Sequence, residues 1–535
     1  MQDIFGSRKF LLVEDFETMR SVIRGLLRRC GAERVDTAAS ADEASKLLAR
    51  ERYDVVLCDY NLGVGKNGQM LLEESRFKQW TSPTTVWIMI TAEKNSDMIF
   101  VAAEHAPDDY LLKPITEGTL QTRLQRLLAR KAALADIVAA MQAKDYARVV
   151  YLCNQRKPEG KNLADLLRLQ AQAYELSGDA ERAIATYHDV LDRADIAWAK
   201  LGIARIKAAK GDEAGARALL EEIVSAHPQY LEAYDGLAQL LERRGELDRQ
   251  LEILQRATKL SPNSAARQAA LGQVAVRSGQ LELAGQAFSR SIKLAEHSAM
   301  RTPAAQLGLA RVQSETGSPQ DALQTLAAVE RDFDAPEARL LAKTEALRAH
   351  VKAGDEAAIQ AAQAQLLALT VGAAEAVPTE AAMQVAETLM QLGRQSVATE
   401  LLQFVARNNH EDQSVAERAQ RVFESGGMGD AGRELLSASR KQAAEAMSEG
   451  VQLLGQGKLP EALDSMRRAR ALMPQNSRAL LNLAYVAVVS LEKTGWDATL
   501  GAEARAAIAL AQGLAPGNAR AAELHGRLQK VAPAH

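Results

Sequence analysis

Five side chains able to act together chemically each stand directly after a short apolar run. Glu14 and Asp15 follow Phe10-Leu11-Leu12-Val13, Asp59 follows Val55-Val56-Leu57-Cys58, Thr91 follows Val86-Trp87-Ile88-Met89-Ile90, and Lys113 lies between Tyr110-Leu111-Leu112 and Pro114. Three carboxylates converging at one edge repel each other, and a hard divalent ion with oxygen ligands resolves the conflict. Magnesium suits such a set, because it keeps several waters and accepts a phosphoryl oxygen as ligand, and Asp59 is then the expected nucleophile in an in-line phosphoryl transfer. Lys113 would supply a point charge to a phosphoryl oxygen and Thr91 a directional hydrogen bond. Singly, each residue has a plainer reading: Asp15 as a helix cap, Thr91 as a turn residue, Lys113 as a solvated surface cation. The chemistry is argued from the set.

The elements that must position these groups are legible in the same stretch. Unbroken apolar runs are the mark of strands buried on both faces, and a weaker strand, Arg34 to Ala38, adds a fifth. Helix-like stretches alternate with them, such as Thr18 to Cys30 and Ala41 to Arg50, the second opened by Ser40 with Glu43 in a capping-box pattern. Five βα units predict an α/β, doubly wound parallel sheet, whose site lies beyond the carboxyl ends of the strands.

This layout resembles the receiver domain of bacterial response regulators, over roughly residues 7 to 125. The resemblance implies a flavodoxin-like fold in which Glu14, Asp15, Asp59 and the backbone carbonyl of Asn61 hold magnesium. It also implies that a sensor histidine kinase or phosphotransfer protein phosphorylates Asp59, and that Thr91 and Lys113 bind the phosphoryl group. Tyr110 matches the family's aromatic switch, which moves with the Thr91 hydroxyl, and Asn61 and Glu93 occupy the two positions that tune hydrolysis of the acyl phosphate. One departure stands out: after Asn61-Leu62 the usual proline is replaced by Gly63-Val64-Gly65-Lys66-Asn67-Gly68, one residue longer, so a more mobile loop is expected there.

From about residue 131 the strand signals vanish. Glycines that close a first helix recur at Gly178, Gly211, Gly245 and Gly279, at intervals of 33, 34 and 34 residues. A small or polar residue follows five positions after each (Ala183, Ala216, Gln250, Ala284), and a larger one nine positions after (Tyr187, Leu220, Leu254, Phe288), while Pro228 and Pro262 end second helices. With Leu237-Ala238, Leu271-Gly272, and Gly450, Gly457, Ala462, Ala469 and Pro474, the pattern resembles tetratricopeptide repeats, which implies an all-α solenoid of eight to eleven hairpins. Longer first helices are expected around Trp198-Ala199-Lys200-Leu201-Gly202. The expected organisation is a receiver at 1–125, a linker helix and first hairpin at 126–160, a repeat array at 161–407, an irregular helical linker at 408–440 with a bend at Gly426 to Gly429, and a second repeat block at 441–535. Gln172, Arg205, Gln273 and Asn482 are candidate groove residues for a protein or peptide ligand.

Composition agrees with a soluble protein. The 535 residues are 25% charged and 47% apolar, the formal net charge is -3, and 4% aromatics argue against a nucleic-acid stacking platform. Nothing reads as a targeting or membrane-inserted segment, and three isolated cysteines, Cys30, Cys58 and Cys153, suit a reducing compartment, so a cytoplasmic location is expected. The functional expectation is a non-enzymatic, phosphorylation-gated adaptor without DNA-binding output, with a homodimer through the face of the fourth helix and fifth strand as one assembly. Two alternatives compete with it. One is a constitutive scaffold whose receiver is a phosphate sink or kinase-docking module. The other is a haloacid-dehalogenase-type phosphatase, disfavoured because Asn61 stands where that chemistry needs a second aspartate.

Overall fold

The chain is described by a computed structural model covering residues 5–92, 107–370 and 377–533. Glu93 and the receiver's fourth helix, expected at the paired face, lie outside the described residues. The backbone divides into two compact units, residues 1–305 and 306–535.

The first unit begins with a five-stranded parallel sheet, β1 (Lys9–Val13), β2 (Arg34–Ala38), β3 (Val55–Asp59), β4 (Val86–Thr91) and β5 (Asp109–Leu112), in the order β2-β1-β3-β4-β5. The alternation of strand side chains produces two core layers. Phe10, Leu12, Val55, Leu57 and Ile88 meet Ile23 and Leu27 of α1 (Glu17–Arg29) and Leu120 and Leu124 of a long helix, Glu117–Gln142. On the other face Leu11, Val13, Val56, Cys58 and Met89 meet Ala44 and Leu48 of α2 (Ala41–Arg50) and Leu71 and Leu72 of α3 (Gly68–Phe77). The sheet is thus covered on both sides, as the unbroken apolar runs require. Ser40 caps α2 by accepting from the Glu43 backbone N–H at 3.2 Å, while the Glu43 carboxylate reaches the N–H of Ala39 at 2.7 Å.

Helix Glu117–Gln142 serves two cores. Leu124, Leu127 and Leu128 pack under the sheet, while Leu134 and Ile137 pack with Val149, Cys153 and Leu166 of the first helices beyond it. The boundary expected at residue 125 therefore falls within a continuous helix. Four hairpins follow in this unit: Leu163–Leu176 with Ala180–Leu191, Ala197–Ala209 with Glu213–Ala226, Leu231–Arg243 with Leu247–Leu260, and Ala265–Arg277 with Leu281–Ala295.

Each first helix is closed by a glycine in the left-handed region, with φ of 82°, 84°, 70° and 72° at Gly178, Gly211, Gly245 and Gly279, where a side chain would be strained. The longer first helix expected after Trp198 is not formed: Ala197–Ala209 has 13 residues, as do Leu231–Arg243 and Ala265–Arg277. Gly202 lies against the Tyr187 ring, where an added Cβ would come within 2.2 Å, just as Gly272 lies against Phe288.

The second unit is helical throughout its described residues, and Gly317, Gly354, Gly393, Gly427 and Gly457 repeat the left-handed closure. The stretch expected as an irregular linker contains the regular helix Gln413–Ser425, a turn at Gly426 to Met428, and the start of a 27-residue helix, Gly429–Gly455. That helix runs through the boundary expected at 440 because its residues from Arg433 to Glu449 include no glycine or proline to stop it. Asn482, expected on an exposed groove face, is only 8% exposed, because helix Ser477–Thr494 is covered by packing along much of its circumference; Gln172, Arg205 and Gln273 are exposed.

The close approach at Gly202 generates a stability prediction. Gly202→Ala should destabilise the protein by about 1–3 kcal/mol, the usual cost of overpacking, whereas Gly513→Ala, in an open part of helix Ala498–Leu514, should be neutral or slightly stabilising. Denaturant unfolding of both variants checks this, and an unchanged midpoint for Gly202→Ala would refute the packing assignment.

Candidate functional site

The parallel sheet brings β1 and β3 side by side, pairing Val13 with Cys58, and β4 beside β5, pairing Thr91 with Leu112. The sheet order reverses direction at β1/β3, and in such folds the crevice outside the strand ends is the site. Glu14, Asp15 and Asp59 leave the sheet at that point. Oxygens of their three carboxylates lie within 4.8 Å of one another. Glu14 and Asp59 are 1% and 6% exposed, and Asp15 is open to solvent.

Lys113 closes the cluster from β5. Its Nζ donates to Asp59 Oδ2 at 2.7 Å and to Glu14 Oε2 and Oε1 at 2.9 and 3.2 Å. The Lys113 N–H donates to the Thr91 carbonyl at 2.8 Å, which fixes where the side chain departs. Burial pushes the Glu14 carboxyl up and the neighbouring Asp59 adds to this, opposed by the Lys113 hydrogen bond. Burial alone would lower the Lys113 ammonium, but its bonds to Asp59 and Glu14 outweigh burial and raise it. One ammonium thus faces three carboxylates, a donor set of hard oxygens with a surplus of negative charge. Those residues fit a small hard divalent cation.

The local chain explains why the groups converge. Asp15 is not the cap of α1, whose first position is preceded by Phe16 with no side-chain cap, so its carboxylate is left for the site. Arg20, one turn into α1, donates to the carbonyls of Glu14 at 2.6 Å and Asp15 at 3.3 Å and so pins the β1–α1 connection. Nothing in the spacing of Arg20 marks that role. The Asn61 N–H donates to Asp59 Oδ1 at 3.3 Å. Gly68 opens α3 directly against the strand end, and a Cβ there would lie 2.1 Å from the Asp59 carbonyl oxygen. The glycine-rich loop was visible in the sequence; this close approach was not.

Thr91 is 3% exposed at the end of β4. Tyr110 is half-buried, packs against the core layer that contains Met89, and has its hydroxyl pushed up to about 12 by burial and by Tyr60. The structure therefore brings Glu14, Asp15, Asp59 and Lys113 into one cluster and carries Thr91, Asn61 and Tyr110 on the adjoining strand ends. Glu93 falls outside the described residues.

Comparison with known proteins agrees with this arrangement. Residues 10–125 match the response regulator receiver domain. The chain is 34% identical to the chemotaxis protein CheY-3 of Vibrio cholerae over 122 residues, 23% of this chain and 92% of that protein. It is 32% identical to the chemotaxis protein CheY of Pseudomonas aeruginosa, again over 122 residues and 97% of that protein. Among solved structures, the receiver domain of a Pseudomonas aeruginosa sensor histidine kinase, with a magnesium ion coordinated in its active-site cleft, is 30% identical; the match covers 23% of this chain and 99% of that one, with a TM-score of 0.21. Through residues 10–125, this chain belongs to the response regulator receiver family.

Proposed function

We propose that the protein is a response regulator phosphorylated on Asp59 by a histidine kinase or phosphotransfer protein, and that its helical hairpins, read as tetratricopeptide repeats, deliver the output by binding another protein. The observation that carries the first half is the Lys113 ammonium bridging Asp59 and Glu14 beside a third carboxylate. Glu14, Asp15, Asp59 and the Asn61 carbonyl would hold magnesium, which when bound neutralises charge on the transferred group. Asp59 Oδ forms the new bond to phosphorus as the bond from phosphorus to the donor imidazole nitrogen breaks, and the imidazole leaves with the bonding electron pair. Lys113, already 2.7 Å from Asp59 Oδ2, is placed to follow the charge onto a phosphoryl oxygen. The Thr91 hydroxyl would donate to a second oxygen, with Tyr110 following it. Asn61, with Glu93, would tune hydrolysis toward a short-lived phosphoryl state, as the likeness to chemotaxis proteins suggests.

A route from this site to the helices supports the adaptor reading. Asp109, the first residue of β5, accepts from Arg123 at 2.6 Å and from Arg126 at 2.9 Å, both on helix Glu117–Gln142. Lys131 on that helix pairs with Asp108 at 2.8 Å and donates to the Pro83 carbonyl at 2.7 Å, and Arg130 binds Asp165 in the next helical pair at 2.7 Å. A shift of β5 as Lys113 changes partner would therefore act on the helix that joins the two cores. The modest formal charge of -3 gives no reason for a nucleic-acid output, and no described helix is long and apolar enough to cross a membrane.

Two experiments test the proposal. Acetyl phosphate with magnesium should add one phosphoryl group to the intact protein by mass spectrometry, and either Asp59→Ala or chelation of the metal should abolish it; labelling that survives Asp59→Ala removes Asp59 as acceptor. Beryllofluoride with magnesium should alter amide exchange along residues 117–142, and replacing both Arg123 and Arg126 by alanine should blunt that response. Coupling of this kind usually amounts to about 1–3 kcal/mol. Identical exchange with and without the mimic would favour a constitutive scaffold with a phosphate-sink receiver.

A further inference from the structure

The loop from Asp59 to α3 is pinned at its ends, the Tyr60 N–H donating to the Ile90 carbonyl at 2.8 Å and the Gly68 N–H to the Tyr60 carbonyl at 2.9 Å. Gly63 and Gly65 sit in the left-handed region at φ 76° and 103°, and Val64 between them is fully exposed. Leu62 is buried at its start, and at its end the Asn67 side chain caps α3 through the Met70 N–H at 2.9 Å. Between those points one long side chain reaches inward. Lys66 Nζ donates to Glu74 Oε2 at 2.9 Å.

Glu74 is 4% exposed, on the face of α3 turned toward α2. Ser45 of α2 donates to its Oε2 at 3.1 Å, and Lys78 donates to its Oε1 at 2.7 Å. Burial works against this carboxylate, yet the bonds from Lys78 and Lys66 outweigh it and hold the group below the usual carboxylate range. Lys66 also approaches Asp42 at 3.3 Å, but that side chain is 77% exposed and the pair is screened by solvent. The effective anchor is the buried carboxylate, where charge-assisted bonds are strong.

We propose that Glu74 is a positioning residue for phosphoryl transfer, acting through Lys66 to tether the loop that follows Asp59. This rests on the reading of Asp59 as the phosphoacceptor. The loop backbone reaches the site directly: a Cβ on Gly63 would lie 3.3 Å from Asp15 Oδ2, and Asn61 bonds Asp59. Releasing Lys66 lets that backbone drift, and a displacement of about 1 Å beside a reacting centre can cost up to two orders of magnitude in rate. The glycine-rich loop is thus held by an ion pair to a buried carboxylate.

The test uses the full-length protein with acetyl phosphate and magnesium. Lys66→Met and Glu74→Gln should each lower the uptake rate constant at saturating acetyl phosphate by about tenfold and speed amide exchange over residues 61–67. Lys66→Arg should retain uptake within about twofold, because arginine can reach the same carboxylate. Lys78→Met also removes a bond to Glu74, but from the C-cap of α3 and not from the loop, so it should lower the unfolding midpoint while leaving uptake and loop exchange unchanged. Wild-type uptake and loop exchange in Lys66→Met, or an equal loss in Lys78→Met, would overturn the tether. If the wild type takes up no phosphoryl group, the acceptor reading fails instead, while the exchange measurement still decides whether Lys66 and Glu74 hold the loop.

Discussion

A single ammonium group, that of Lys113, holds together the ends of three strands. It is bonded to Asp59 at the end of β3 and to Glu14 after β1, and its own backbone is hydrogen-bonded to Thr91 at the end of β4. Without it, the nearly buried carboxylates of Glu14 and Asp59 would face each other uncompensated in a site largely screened from water. The parallel sheet order makes this convergence unavoidable, since every strand delivers its following residue to the same edge.

Among the described residues the domain contains two buried acidic centres, and their charge balance sets them apart. Glu74 receives two ammonium groups and a hydroxyl, and its carboxyl is held low. Glu14 shares one ammonium with Asp59 and lies within reach of Asp15, and its carboxyl is pushed up. The first centre is satisfied within the protein and behaves as a structural anchor. The second keeps an excess of negative charge, which is what a cation and an incoming phosphoryl group would meet. The two centres lie at opposite ends of the loop and helix that follow Asp59, the arrangement on which the proposed tether rests.

Helix Glu117–Gln142 has no independent core of its own: its first half is buried under the receiver and its second half in the first hairpins, so in the proposed route a displacement of one half would be felt by the other. The hairpins share a simple steric feature: glycine on one helix where a ring or long side chain presses from an adjacent helix, as at Gly202 with Tyr187, Gly272 with Phe288, Gly432 with Phe423 and Gly450 with Met466.

Much of this was legible in the amino-acid order, because the physics involved is local or periodic. Unbroken apolar runs reported strands buried on both faces, the residue after each run marked where Glu14, Asp15, Asp59 and Lys113 gather, and the glycine interval reported the hairpins, since a left-handed closing residue is demanded by backbone sterics alone. Tertiary structure decided what depends on which distant groups meet. It tied Lys66 to Glu74 where composition suggested only a loose loop, set Arg20 on the carbonyls of Glu14 and Asp15, buried Asn482, and carried helix Gly429–Gly455 through an expected break. Periodicity cannot report such pairings, because an ion pair between a loop lysine and a helix glutamate carries no signature until folding removes both from water.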